Sequence, residues 1–133
     1  MLEQHAQGTA PDGLPFQLFT LQNTQGMRVQ FTDWGATWTS CRVPVNGELR
    51  EVLLGCKLEA YPIQQAYLGT SVGRYANRIA NAQFTLNDKT VTLTANQGKH
   101  QLHGGVNGYS KLESLKAKLR QDYMLKIRII WSS

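Results

Sequence analysis

Two short stretches concentrate the side chains that could do chemistry. Gly73-Arg74-Tyr75-Ala76-Asn77-Arg78-Ile79-Ala80-Asn81 places two arginines and two asparagines close together. A forked guanidinium and a side-chain amide can together donate to neighbouring hydroxyls, as a sugar displays them. The same cluster on a loop also suits a plain solvated surface. Further on, Gln101-Leu102-His103-Gly104-Gly105 sets a histidine before two glycines, where the backbone can turn sharply and a ligand can come close. Imidazole exchanges protons near neutral pH, although a loop histidine can equally be structural. His100 and His103 stand three apart, but the only other histidine is His5 and no third ligand of matching type accompanies them. A metal site is therefore not expected.

The elements that must hold these residues read as short strands separated by turns. Phe16, Leu18 and Thr20 alternate with Gln17 and Phe19, and Asn23-Thr24-Gln25-Gly26 supplies turn chemistry. Met27, Val29 and Phe31 alternate with Arg28, Gln30 and Thr32, a period of two with one buried face. Asp33-Trp34-Gly35 interrupts, and a strand resumes from Ala36 to Val45. Asn46-Gly47 signals a tight hairpin turn before a strand from Glu48 to Leu54. Phe84-Thr85-Leu86 and Val91-Thr92-Leu93-Thr94 flank Asn87-Asp88-Lys89 as a further hairpin. Strands at this spacing predict an all-β chain, an antiparallel β-sandwich.

The chain of 133 residues suits a single domain with a real core. Its apolar share of 41% and aromatic share of 9% are those of a globular protein. The apolar runs are far shorter than the roughly 20 residues a spanning helix needs. Residues 1–13 carry Glu3, His5 and Asp12 and do not resemble a secretion signal, so the expected location is cytoplasmic. Cys41 and Cys56, with no close-spaced partner, read as reduced, small, partly buried residues; no local signature supports a disulfide or a catalytic thiol. The net charge of +5 is carried mainly by residues 111–133, where six basic side chains face two acidic ones, a surplus of +4. The body is nearly neutral and presents no general phosphate-binding field, which argues against a nucleic-acid partner.

The tail changes character. Ser110-x-x-Glu113 matches a capping box, and Leu112, Leu115, Leu119 and Tyr123 follow at helical spacing. Leu125, Ile127, Ile129 and Trp131 then alternate like a strand. This shift predicts two parts, residues 1–111 as the sandwich portion and residues 112–133 as a divergent basic tail.

Gly73 to Ala80, followed by Asn96-Gln97-Gly98-Lys99-His100-Gln101-Leu102-His103-Gly104-Gly105, resembles the aldose 1-epimerase (galactose mutarotase) family, and the order of Gly-Arg-Tyr-Ala-Asn-Arg-Ile and Leu-His-Gly-Gly is its most specific part. Other stretches agree in order. Asp33-Trp34-Gly35-Ala36-Thr37 is similar to the family's first Gly-Ala-Thr strand, and Val52-Leu53-Leu54-Gly55 to its Val-Leu-Gly turn. Tyr61 and Tyr67-Leu68-Gly69 fit the segment leading into the Arg-Asn cluster. The likeness covers about residues 15–111.

The resemblance implies the amino-terminal part of a mutarotase-like β-sandwich with a sugar cleft across one sheet. It implies interconversion of the α and β anomers of aldohexoses such as D-galactose and D-glucose. A base takes the proton of the anomeric hydroxyl and an acid protonates the ring oxygen; the ring opens, the aldehyde carbon rotates, and the ring recloses on its other face. Positioned proton transfer suffices for this, so no metal or organic cofactor is implied. Carried onto this chain, Asn77 and Arg78 match the family's sugar-contacting pair. His103 matches the histidine that contacts the substrate and assists catalysis. Arg74 reads as packing or surface support. The family's second histidine and its general-base glutamate lie farther downstream and have no match here, and Glu113 is too close to His103 to serve as that base. The sequence therefore reads as a truncated family member, by early stop, frameshift or natural short form, poorly active or inactive alone. The alternatives are a non-catalytic carbohydrate-binding remnant and, less in keeping with the pattern, an anionic-surface or nucleic-acid binder using the basic tail. Uncovered sheet edges would favour self-association.

Overall fold

The computed structural model describes residues 1–111, so the capping box at Ser110, the helical spacing after it and the alternation up to Trp131 fall wholly or partly outside the described residues. All the strands among the described residues pair antiparallel, as the alternation predicts. Five form one sheet in sequence order: β1 (Leu2–Gln7), β2 (Phe16–Gln22), β3 (Arg28–Thr32), β4 (Trp38–Val45) and β5 (Glu48–Glu51). The remaining four make two small ladders. In one, β6 (Arg78–Ile79) pairs with β9 (Gln101–Leu102); in the other, β7 (Gln83–Leu86) pairs with β8 (Lys89–Thr92).

The turns follow local chemistry. Asn46 and Gly47 both take positive φ, 52° and 86°, the geometry whose twist matches a two-residue hairpin. Asn87 and Asp88 do the same at 48° and 59°, so the second hairpin turns on two residues and Lys89 already belongs to β8. At the β2–β3 turn, the Asn23 side chain accepts from the backbone N–H groups of Gln25 and Met27.

Directly opposed residues in an antiparallel pair share a face of the sheet. Phe19 lies opposite Phe31, their rings stacked with centroids 5.7 Å apart, and Val29 lies opposite both Leu21 and Cys41. On the other face Phe16, wholly buried, meets Trp34 edge-on at 6.3 Å, with Ala10 and the partly buried Leu58 beside them. Strand β2 is thus buried on both sides from its start, and burial of each of its phenylalanines stabilises the fold by roughly 1.5–3 kcal/mol. Cys41 and Cys56 are free thiols, the former buried.

One strand is unexpected and two expected boundaries shift, each for a physical reason. Strand β1 was not foreseen: all six of its residues are exposed, so it carries no apolar alternation and is held by its ladder to β2. Strand β4 begins at Trp38 rather than Ala36, because Gly35 and Ala36 both turn through positive φ and Thr37 bonds back to the Trp34 carbonyl. Strand β5 ends at Glu51 rather than Leu54. There the Glu51 carboxylate accepts from the N–H groups of Cys41 and Leu53, folding the chain away from the ladder.

Candidate functional site

Between β5 and β6 the chain leaves the large sheet, and residues 69–71 come back to the start of β4 and the turn before it. The Trp38 N–H donates to the Gly69 carbonyl at 2.8 Å, and the Ser71 hydroxyl donates to the Ala36 carbonyl at 3.1 Å. These bonds moor residues 67–71 to the start of β4. The β6–β9 ladder then does what the sequence could only suggest. Its register sets Arg78 opposite Leu102 and Ile79 opposite Gln101, so the Arg-Asn cluster and the His-Gly-Gly stretch become neighbours.

Asn77 and His103 are joined twice. The His103 N–H donates to the Asn77 carbonyl at 3.0 Å, and the Asn77 N–H donates to Nδ1 of the His103 ring at 3.0 Å. A ring nitrogen that accepts carries no proton; the neutral imidazole assigned from this bond therefore bears its hydrogen on Nε2. The second nitrogen is left as a donor for a ligand oxygen. Both residues sit in the left-handed region, Asn77 at φ 63° and His103 at φ 51°. That conformation costs about 1–2 kcal/mol for a residue with a Cβ, and asparagine and histidine bear it more readily than most.

Arg78 is steered from two sides. Its Nε donates to Oε1 of Gln97 at 2.6 Å, and its Nη1 donates to Oδ1 of Asn77 at 3.2 Å. Nη2 keeps its donors for solvent or ligand, and Asn77 and Arg78 are both exposed. Gln97 is itself fixed by a tight reversal in which Gln97 and His100 exchange both backbone hydrogen bonds. Next to it, the Asn96 side chain accepts from the Leu102 N–H at 2.6 Å and donates to the Leu102 carbonyl at 2.9 Å. An amide group thus stands in for a strand on the free edge of β9.

Gly104 explains why the histidine is followed by glycine. It takes φ 88°, and a Cβ there would run into the Gly73 carbonyl. The two motifs approach so closely that only glycine fits. Arg74, by contrast, points elsewhere: its guanidinium lies 5.5 Å from the centre of the Tyr109 ring. His100 repeats the device of His103, accepting through Nδ1 from the Asn81 N–H at 3.1 Å. Among the described residues, no group of three or more His, Cys, Asp or Glu is gathered as metal ligands.

The residues that sequence reasoning singled out, Asn77, Arg78 and His103, therefore meet on one patch. Two others went unassigned. Gln97, which orients Arg78, lies within the 96–105 stretch that carries the family resemblance, but that resemblance gives it no role of its own. Tyr67 packs edge-on against the His103 ring with centroids 4.5 Å apart, a contact between segments that sequence spacing does not reveal.

Comparison with known proteins places this patch in context. The family model described as Aldose 1-epimerase matches residues 17–123. The chain is 69% identical over 111 residues to an aldose 1-epimerase of Haemophilus influenzae, covering 84% of this chain and 32% of that protein. It is 55% identical over 104 residues to an aldose 1-epimerase of Escherichia coli, covering 77% and 30%. Among solved structures, a GalM/aldose epimerase homologue from C. elegans superposes with a TM-score of 0.67 at 33% identity, over 74% of this chain and 31% of that one. The chain spans about a third of the length of the curated relatives it matches.

Proposed function

From the premise that this chain belongs to the aldose 1-epimerase family, we propose that it provides the sugar-contacting patch for anomer interconversion of aldohexoses such as D-galactose and D-glucose. The observation that carries this reading is the pair of hydrogen bonds between Asn77 and His103, which leaves Nε2 of the imidazole as the free donor, while Arg78 is tied to the same asparagine through its side-chain oxygen. Three donors of different geometry on one patch suit the adjacent hydroxyls of a pyranose better than a single point charge does.

In this account Asn77 and Arg78 bind and orient the sugar. His103 donates from Nε2 to a sugar oxygen and stabilises the charge that develops there as the ring opens. Deprotonating the anomeric hydroxyl requires a carboxylate base, and protonating the ring oxygen requires an acid. The histidine and glutamate that the family resemblance calls for have no match among these 133 residues. Losing a proton-transfer partner commonly lowers rate by about 10²–10⁴-fold, so this chain is expected to bind sugar and turn it over poorly. Carbohydrate binding without catalysis is the second reading, since Asn77, Arg78 and His103 need no proton-transfer partner to hold a sugar. A cytoplasmic location belongs to the same proposal; among the described residues no helix is long and apolar enough to cross a membrane. So does self-association through β1 and β5, the two outer strands of the large sheet, every residue of which is exposed.

Calorimetric titration with D-galactose, paired with polarimetry on freshly dissolved α-D-galactose, tests both halves. The expected result is saturable binding with little acceleration over buffer. Absence of binding would overturn the proposal, and rapid mutarotation would overturn the claim of poor turnover.

A further inference from the structure

We infer that Tyr67 is a positioning residue for His103, fixing the imidazole so that Nε2 rather than Nδ1 is presented to the ligand; the ligand half of this statement rests on the sugar reading above. A hydrogen bond to one ring nitrogen sets a distance and a direction at a single atom. It leaves the imidazole free to tilt about that anchor. A second contact on another part of the ring removes the tilt, and Tyr67 supplies it, edge-on with centroids 4.5 Å apart and the planes at 61°.

Tyr67 is itself built into place. Its φ is 54°, a conformation uncommon for a bulky aromatic, so the surroundings must enforce it. The Gln64 side chain accepts from the Leu68 N–H at 3.0 Å and donates to the Leu68 carbonyl at 3.3 Å. Thr70 donates to the Tyr67 carbonyl through both its N–H and its hydroxyl. The Trp38 N–H on the Gly69 carbonyl ties the whole bracket to β4. The large sheet therefore reaches the histidine along Trp38, Gly69, Tyr67 and His103, a route independent of the β6–β9 ladder. The contact uses the aromatic ring and not the hydroxyl, so phenylalanine should preserve it and an aliphatic residue should not.

The test is the nitrogen–nitrogen scalar coupling across the Asn77 N–H···Nδ1 bond, recorded by NMR on the full ¹⁵N-labelled chain at about pH 8, where imidazole is neutral. Wild type and Y67F are expected to show the coupling and a ring pattern with the proton on Nε2. Y67L is expected to lose both, while the amide resonances of β1–β5 stay in place and galactose affinity falls about tenfold. Retention of the coupling in Y67L with an intact sheet overturns the inference. If Y67L unfolds the sheet, Q64A decides. It loosens the bracket and touches neither ring, so weakened coupling supports the role and unchanged coupling overturns it. Should wild type ignore galactose while Y67L still loses the coupling, the sugar reading falls and the positioning role stands.

Discussion

At the level of single residues, Arg78 shows how a side chain is made specific by what holds it. Gln97 takes Nε and Asn77 takes Nη1, so the fork is aimed rather than waving. A lysine has no second nitrogen to give Gln97. R78K is therefore expected to weaken D-galactose binding about tenfold, ~1.4 kcal/mol, by calorimetry, with the thermal midpoint unchanged. An affinity equal to wild type would mean that charge alone suffices. The proposed sugar contacts Asn77, Arg78 and His103 stand out in the sequence because their types and order resemble a family pattern. Their coupling does not. The decisive bond runs from a backbone N–H to a ring nitrogen, and no residue type announces where its own main chain will point. Gln97 and Tyr67 stayed hidden for the same reason: each acts on a residue distant in sequence.

At the level of elements, glycine at 104 permits the close approach to Gly73 beside the paired strands β6 and β9. G104A forces a Cβ toward a carbonyl and places alanine at a φ of 88°, so it is expected to cost about 2 kcal/mol or more. Amide hydrogen exchange should quicken at Asn77 and His103 and stay slow through β2–β4; protection unchanged at His103 would contradict the account. At the far end of the large sheet, partial burial pushes the Glu51 carboxyl up. Hydrogen bonds from the Ser40 hydroxyl, the Cys41 and Leu53 N–H groups and Arg42 outweigh that and hold it below its ordinary value of 4.5. A lowered carboxyl stabilises the fold above its ordinary value, and that contribution is lost as pH falls through the lower value it has in the folded chain. Wild type should therefore exceed E51Q in denaturant midpoint at neutral pH, with the gap closing as acid is added. A gap independent of pH would show that charge plays no part. Turns were the most legible elements, since they need only local backbone geometry: Asn46-Gly47 turns as read, and the turn read as Asn87-Asp88-Lys89 tightens to its first two residues. Strand β1 was illegible because it is held by backbone pairing with β2 and by polar contacts, Arg28 to Glu3 and Gln4 to Gln17, which leave no apolar alternation to read.

At the level of the whole molecule, the large sheet ends in two exposed strands. β1 bears Glu3 and His5, and β5 bears Glu48, Arg50 and Glu51. Charges on an edge discourage indefinite stacking but leave main-chain groups able to pair with another chain. Sedimentation is expected to show a concentration-dependent rise in mass, reversed by dilution; a strict monomer at high concentration would remove self-association from the proposal. The all-β class was readable from alternation alone, because a period of two with punctual turns admits few other folds. The proposed joint action of Asn77, Arg78 and His103 as one sugar-binding patch is tested most directly by a ¹H–¹⁵N NMR titration of the full chain with D-galactose. The account predicts saturable shifts at the Asn77 and His103 amides and the Arg78 Nε–H, with β1–β5 unmoved; shifts that spare all three, or that centre on the large sheet, would contradict it.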